Sequence, residues 1–195
     1  MDNRLNWHAQ VDYVCRRLKM KIALFKNISY FVSNDMKLLF YNAYILPIFD
    51  YGCTIWGKGN TSYIKKVHTL QRRICKLILK KPTRTPSAGL FRELHWLSFS
   101  DRCKYHAAVL VYKTLHNMAP EYMSEILTFS SNDNYSLRSI SNNDLVLLRT
   151  PRTNIYKDTF SYYTVNIWNH IPIDIRNSSN LQMFKGKYKQ YLLGI

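Results

Sequence analysis

Carboxylates are scarce in this 195-residue sequence: 12 Asp and Glu stand against 28 Lys and Arg, and no two acids are adjacent. Two-metal polymerases and nucleases need carboxylates that converge on ions about 4 Å apart, and no local cluster here supplies them. Cysteine is sparse as well, with Cys15, Cys53, Cys75 and Cys103 lying 38, 22 and 28 residues apart. That spacing is neither a metal knuckle nor a disulfide framework, so the four read as free thiols in a reducing compartment. Gly and Pro number only 6 each, which excludes collagen-like and low-complexity chains. The most apolar stretch, Leu38 to Phe49, is 12 residues long and holds Asn42 and Pro47, whereas a bilayer span needs about 20. The opening Met1-Asp2-Asn3-Arg4-Leu5-Asn6-Trp7 has no apolar run of the signal-peptide kind. The expected location is intracellular, cytoplasmic and/or nuclear, without secretion.

What the chain has in quantity is positive charge and apolar side chains. The formal net charge is +16, hydrophobic residues make up 47% and aromatics 14%. Such a chain can bury a core, yet its surface repels itself unless a polyanion is near. Nucleic acid is the first partner to expect and an anionic membrane surface the second. The charge is uneven: residues 1–81 carry 15 basic and 4 acidic side chains, residues 82–149 carry 7 and 6, and residues 150–195 carry 6 and 2.

The pattern is mainly helical. Val11, Val14, Cys15, Leu18, Ile22 and Phe25 recur at spacings of three and four, which makes one stripe of a helix from about Trp7 to Asn27. Arg16, Arg17, Lys19, Lys21 and Lys26 fall on its flanks and back. Ser33 suits the N-cap of a second helix with Asp35 in its first turn. From Leu38 to Tyr51 that helix has no evident solvent face, and Pro47 should kink it. Residues 51–57 should form a glycine-flanked loop. A third helix, Tyr63 to about Lys80 with Ser62 as cap, separates its faces: Val67, Leu70, Ile74, Leu77 and Ile78 on one, Lys65, Arg72, Lys76 and Lys80 on the other.

Pro82 to Pro86 is a basic linker and the expected boundary between a helical bundle, 1–81, and a helical C-terminal domain, 82–195. In the latter, helices are expected at 88–94, from a Ser100-Asp101 cap to about Asn117, at 161–170 and at 181–193. A Ser/Asn-rich loop covers 130–143. Short extended segments at 144–150 and 154–160, around Pro151, suggest a small β-hairpin.

The chain contains no Walker loop, no Gly-x-Ser-x-Gly and no His-Glu-x-x-His. Cys103-x-x-His106, with His95 upstream, is the nearest approach to a metal site, but zinc takes four ligands, so no metal site and no catalytic residue is assigned. The sharpest positive feature is the third helix. Lys66 and Arg73 widen its charged side, Lys81 and Arg84 follow its end, and no acid lies between Thr61 and Leu90. Solvated helix faces usually mix signs, because Glu–Lys pairs four apart contribute about 0.2–0.5 kcal/mol each. A phosphate backbone would turn the repulsion here into attraction. The candidate nucleic-acid-binding residues are therefore Lys65, Lys66, Arg72, Arg73, Lys76, Lys80, Lys81 and Arg84. Most aromatics are expected in the core; Tyr63 and the Tyr and Arg residues of 130–160 are the candidates for stacking on bases.

The ordered string Leu5-Asn6-Trp7-His8, Leu39-Phe40-Tyr41-Asn42-Ala43-Tyr44-Ile45-Leu46-Pro47, Asp50-Tyr51-Gly52, Trp56-Gly57 and Leu70-Gln71-Arg72-Arg73 resembles the segment after the polymerase palm in non-LTR (LINE-type) retrotransposon reverse transcriptases. It continues through Leu94-His95-Trp96-Leu97, Asp101-Arg102, Ala119-Pro120-Glu121-Tyr122, Pro151-Arg152-Thr153, Trp168-Asn169 and Ile171-Pro172. The likeness is to the jockey and chicken-repeat lineages. It implies a three-helix thumb followed by a helical C-terminal domain that holds the backbone of an RNA–DNA hybrid, RNA or duplex DNA. The family's palm aspartates and their Mg2+ are not in this chain, so the resemblance implies no cofactor and no activity of its own here, and the family's endonuclease and Cys/His knuckle are likewise missing. It further implies an apolar surface that meets the missing palm or a second copy. Two other readings stand beside it: a domesticated, non-enzymatic RNA- or DNA-binding protein, and a basic helix that binds an anionic membrane or a calmodulin-like partner.

Overall fold

Helices account for nearly all of the regular structure in the computed structural model, which describes residues 7–58, 61–86, 89–129, 145, 146, 153–157 and 159–195. The chain divides into two units, residues 1–103 and 104–195. The linker at 82–86, expected as the boundary, thus lies inside the first unit.

In the first unit, α1 (His8–Ile28) buries Val11, Val14, Cys15, Leu18, Ile22 and Phe25, the six residues of the expected stripe. The Ser33 hydroxyl accepts from the Met36 N–H and opens α2 (Asn34–Phe40). A π-helical turn follows (Tyr41–Ile45), and then α3 (Leu46–Asp50) with Pro47 in its first turn. Buried residues along this run, Lys37, Tyr41, Ile45 and Phe49, are spaced four apart. On a regular helix such residues drift by about 40° per step; the wide turn takes up the drift and keeps them on one side. The Leu46 N–H reaches back five residues to the Tyr41 carbonyl, so the wide turn ends just where Pro47 has no N–H to offer. The expectation that this run has no solvent face is corrected: Leu39 and Tyr44 are more than half exposed and Tyr51 is 80% exposed. Its neighbours, α1, α5 and the segment from Trp96 to Arg102, leave these side chains open to water.

Residues expected as a loop after Tyr51 form a short helix, α4 (Cys53–Trp56), entered through Gly52 at φ 62°. Gly57 cannot be replaced there, since a Cβ would sit 2.4 Å from the Cys53 carbonyl oxygen and 2.5 Å from the Cys103 sulfur. Helix α5 (Thr61–Ile78) packs on α1 and buries Ile64, Val67, Leu70, Gln71, Ile74, Cys75 and Ile78. It closes with Lys80 in the left-handed region, φ 53°, while the Lys81 N–H bonds the Lys76 carbonyl at 2.9 Å, a Schellman ending. After α6 (Leu90–Glu93), His95 takes the same left-handed position. Helix α7 (Phe99–Leu115) is capped by Ser98 rather than by Ser100-Asp101: its hydroxyl accepts from the Asp101 N–H at 3.2 Å and donates to the Asp101 carboxylate at 2.7 Å.

The second unit is built from the rest of α7, a 3-10 turn (Glu121–Ile126), a two-residue antiparallel ladder of β1 (Thr128–Phe129) with β2 (Leu145–Val146), α8 (Asn154–Lys157), α9 (Phe160–Asn169), α10 (Ile173–Arg176) and α11 (Leu181–Leu193). Its core holds Tyr112, Leu145, Val165, Trp168, Ile171, Phe184 and Tyr188. The Asn169 amide clips both backbone groups of Leu145 at 2.9 Å. The hairpin therefore pairs 145–146 with 128–129, and residues 154–157, expected as extended, are helical because the Thr153 hydroxyl caps them through the Tyr156 N–H at 3.2 Å. The Ser/Asn-rich stretch 130–143 lies outside the described residues.

Candidate nucleic-acid interface

Helix α5 sorts its side chains as its sequence spacing requires. The apolar residues seat it against α1, and the bases point outward: Lys65, Lys66, Arg73, Lys80, Lys81 and Arg84 are exposed, Arg72 and Lys76 half-buried. Two of the eight meet carboxylates among the described residues. The Lys66 amine lies 3.2 Å from an Asp12 oxygen, and Lys81 lies 3.7 Å from Glu93. Both pairs are half exposed, and such pairs contribute about 0–1 kcal/mol. Lys76 donates to the Thr83 carbonyl at 2.6 Å and pins the basic linker against the helix end. Arg72 leans on its own helix, with Nε 3.4 Å from the His68 carbonyl.

No carboxylate of the described residues pairs with Lys65, Arg72, Arg73, Lys76, Lys80 or Arg84. The ridge is therefore cationic in fact and not only in formal count. His68 adds nothing to it at neutral pH, because burial first and the Arg72 charge second push its imidazole below the ordinary value. Tyr63, expected as a stacking platform, is engaged inside the unit: the His8 ring stacks on it at 3.8 Å and the Lys66 ammonium stands 4.4 Å from its centre. Of the Tyr and Arg candidates of 130–160, Tyr135, Arg138, Arg149 and Arg152 lie outside the described residues, and Tyr156 is half-buried with its ring edge-on to Tyr162 at 6.5 Å.

The sequence reading missed Lys37. Its side chain is 1% exposed, its amine is 3.2 Å from the Asn34 amide oxygen, and burial and then the charge of Lys80 lower its pKa. Only its four-residue offset from Tyr41 hinted at an inward position. Also missed were the exposed rings Tyr13 and Tyr44.

Among the described residues, no three His, Cys, Asp or Glu side chains come together as a metal-binding group, and no helix is long and apolar enough to cross a membrane. The four cysteines are buried and none forms a disulfide; burial holds the Cys75 thiol up at about 12, and contact with Cys53, then burial, raises Cys103.

No protein-family model matches the chain, and no solved structure does. Among curated proteins, the chain is similar to the probable RNA-directed DNA polymerase from transposon X-element of Drosophila melanogaster, with 28% identity over 113 residues. The match covers 55% of this chain and 12% of that protein. This is a distant, partial relation to a non-LTR retrotransposon reverse transcriptase.

Proposed function

We propose that this chain is the thumb and C-terminal region of a retrotransposon reverse transcriptase, which grips the sugar–phosphate backbone of a template–primer duplex and performs no chemistry by itself. The supporting observation is the α5 ridge: a row of outward cations, mostly without carboxylate partners, on a helix whose other side is sealed in a core. Contacts of this kind position a duplex without reading its sequence. The buried apolar side of α5 also argues against a membrane or calmodulin-like partner, since either would need that side. A domesticated binding protein would use the same ridge, and it shares the test that follows.

The test compares binding of the chain to RNA–DNA hybrid, duplex RNA and duplex DNA of equal length at a series of salt concentrations. A combined Lys65→Gln, Arg73→Gln and Lys80→Gln variant should weaken all three evenly and flatten the dependence of log K on log salt by about 3. An unchanged slope removes the ridge from the interface.

A further inference from the structure

The outward side of α1 carries a second surface of different chemistry. Tyr13, Arg17 and Lys21 follow one another at four-residue spacing. The Arg17 guanidinium lies 5.7 Å from the Tyr13 ring centre and donates to its hydroxyl at 3.4 Å. The Lys21 ammonium lies 5.4 Å from the ring centre of Tyr44, on the π-turn. Tyr44 in turn stacks on Phe40 at 5.1 Å, and Phe40 on the fully buried Phe25 at 5.3 Å. A ladder of rings thus runs from the core to the surface and fixes the outermost one. Tyr13 remains 49% and Tyr44 56% exposed, with Met20 and Leu24 beside them on the same side of α1.

This stripe is separate from the α5 ridge. Asp12 faces Lys66 of α5, and at about 100° per residue Tyr13, Arg17 and Lys21 lie about 100–180° further round α1. No ion pair of the described residues engages Arg17 or Lys21.

Unlike Tyr63, both rings are about half exposed, and each is covered by a surface cation without a carboxylate partner among the described residues, so a ligand whose phosphates draw Arg17 and Lys21 aside gains the ring surface for its own flat π-systems. A duplex hides its bases and offers only phosphate; an unpaired strand offers both. Base–aromatic stacking tolerates any sequence, since every base has a π-face. Charge complementarity favours a polynucleotide over an apolar protein surface, which would leave Arg17 and Lys21 desolvated and unpaired. We propose that the Tyr13–Arg17–Lys21–Tyr44 stripe binds single-stranded nucleic acid, with the two tyrosines stacking on bases and the two cations on phosphates. The proposal does not depend on the duplex-gripping role of α5.

The experiment measures affinity of the full chain for a uridylate oligomer of about 16 nucleotides and for an RNA–DNA hybrid of equal length. Tyr13→Leu with Tyr44→Leu keeps apolar area at exposed positions and removes the ring faces. It should lower single-strand affinity roughly tenfold or more and leave hybrid binding unchanged, while Tyr→Phe at both positions keeps single-strand affinity. Arg17→Gln with Lys21→Gln should flatten the single-strand salt slope by about 1.4. Unchanged uridylate binding by the leucine pair overturns the proposal. So does a leucine pair that binds uridylate normally but dissolves a dimer in sedimentation, since the stripe is then a self-contact. A hybrid salt slope left unchanged by the Lys65, Arg73 and Lys80 substitutions, with the tyrosine effect intact, would sink the α5 reading and leave this one standing.

Discussion

Arg102 on α7 closes a two-pronged ion pair on Asp50, the last residue of α3: Nε lies 2.7 Å from one carboxylate oxygen and an outer nitrogen meets the other. Both side chains are mostly buried, 17% and 25% exposed. The pair joins points 52 residues apart and ties the exit of the π-turned helix to α7. Removal of one partner leaves the other charged and poorly hydrated. Asp50→Ala should therefore cost about 2–3 kcal/mol in urea unfolding. Asp50→Leu with Arg102→Met should recover most of that loss, which a single-residue account of Asp50 does not predict.

Gln71 supports a second joint. Its side-chain oxygen accepts from the Phe99 N–H at 2.8 Å and its nitrogen donates to the Leu97 carbonyl at 3.0 Å, all out of contact with water. Gln71→Ala orphans a buried donor and a buried acceptor, and about 2–3 kcal/mol of stability should go with them. Gln71→Glu should cost a similar amount, as the carboxylate cannot donate to Leu97. A thermal melt of the three proteins is the check.

Lys80 has two roles that one substitution separates. Its left-handed backbone at the end of α5 is a conformation that costs a non-glycine residue about 1 kcal/mol. Lys80→Gly should raise unfolding free energy by about that amount. On the ridge reading it also flattens the salt slope of duplex binding by about 1. A more stable protein that binds less tightly is the expected pairing, measured by denaturation and by titration on the same sample.

The buried Tyr41 ring stacks on Trp96, 3.7 Å between centres, and burial raises the pKa of its hydroxyl well above 10.0. The folded state holds that proton more tightly than the unfolded chain does. Its contribution to stability is full below pH about 10 and falls as pH rises toward the folded value. Tyr41→Phe has no such proton to lose, so the stability gap between the two proteins should shift in favour of the variant above pH 10, read by urea unfolding across pH 8–12.

The elements the sequence revealed are those with an inside and an outside. Helix α1 and the two-sided α5 were readable because apolar and basic residues alternate with the helical period, and Ser33 was readable because a cap acts on residues three away. The π-turn was hidden, since a wide turn leaves no mark except buried residues spaced four apart. Ser98 was passed over for Ser100 because either hydroxyl fits a cap, and only the chain's path selects one. At the interface, like charges at i, i+7 and i+11 pointed to the ridge from Lys65 to Lys76. Tyr13 and Tyr44 could not be paired beforehand, because they come from two elements that meet only after packing. Tyr63 looked free for the same reason: its partner His8 lies 55 positions away in the chain.

The wide turn before Pro47 also governs which alterations of chain length this helix accepts. Five residues there do the work of four, so deletion of one of Asn42, Ala43 or Tyr44 restores ordinary winding without swinging Phe49 and Asp50 off their side. Ordinary winding, however, drives the pyrrolidine ring into the carbonyl one turn earlier. A shortened helix thus becomes viable only together with Pro47→Ala, so the surplus residue cannot be lost while the imino acid stays.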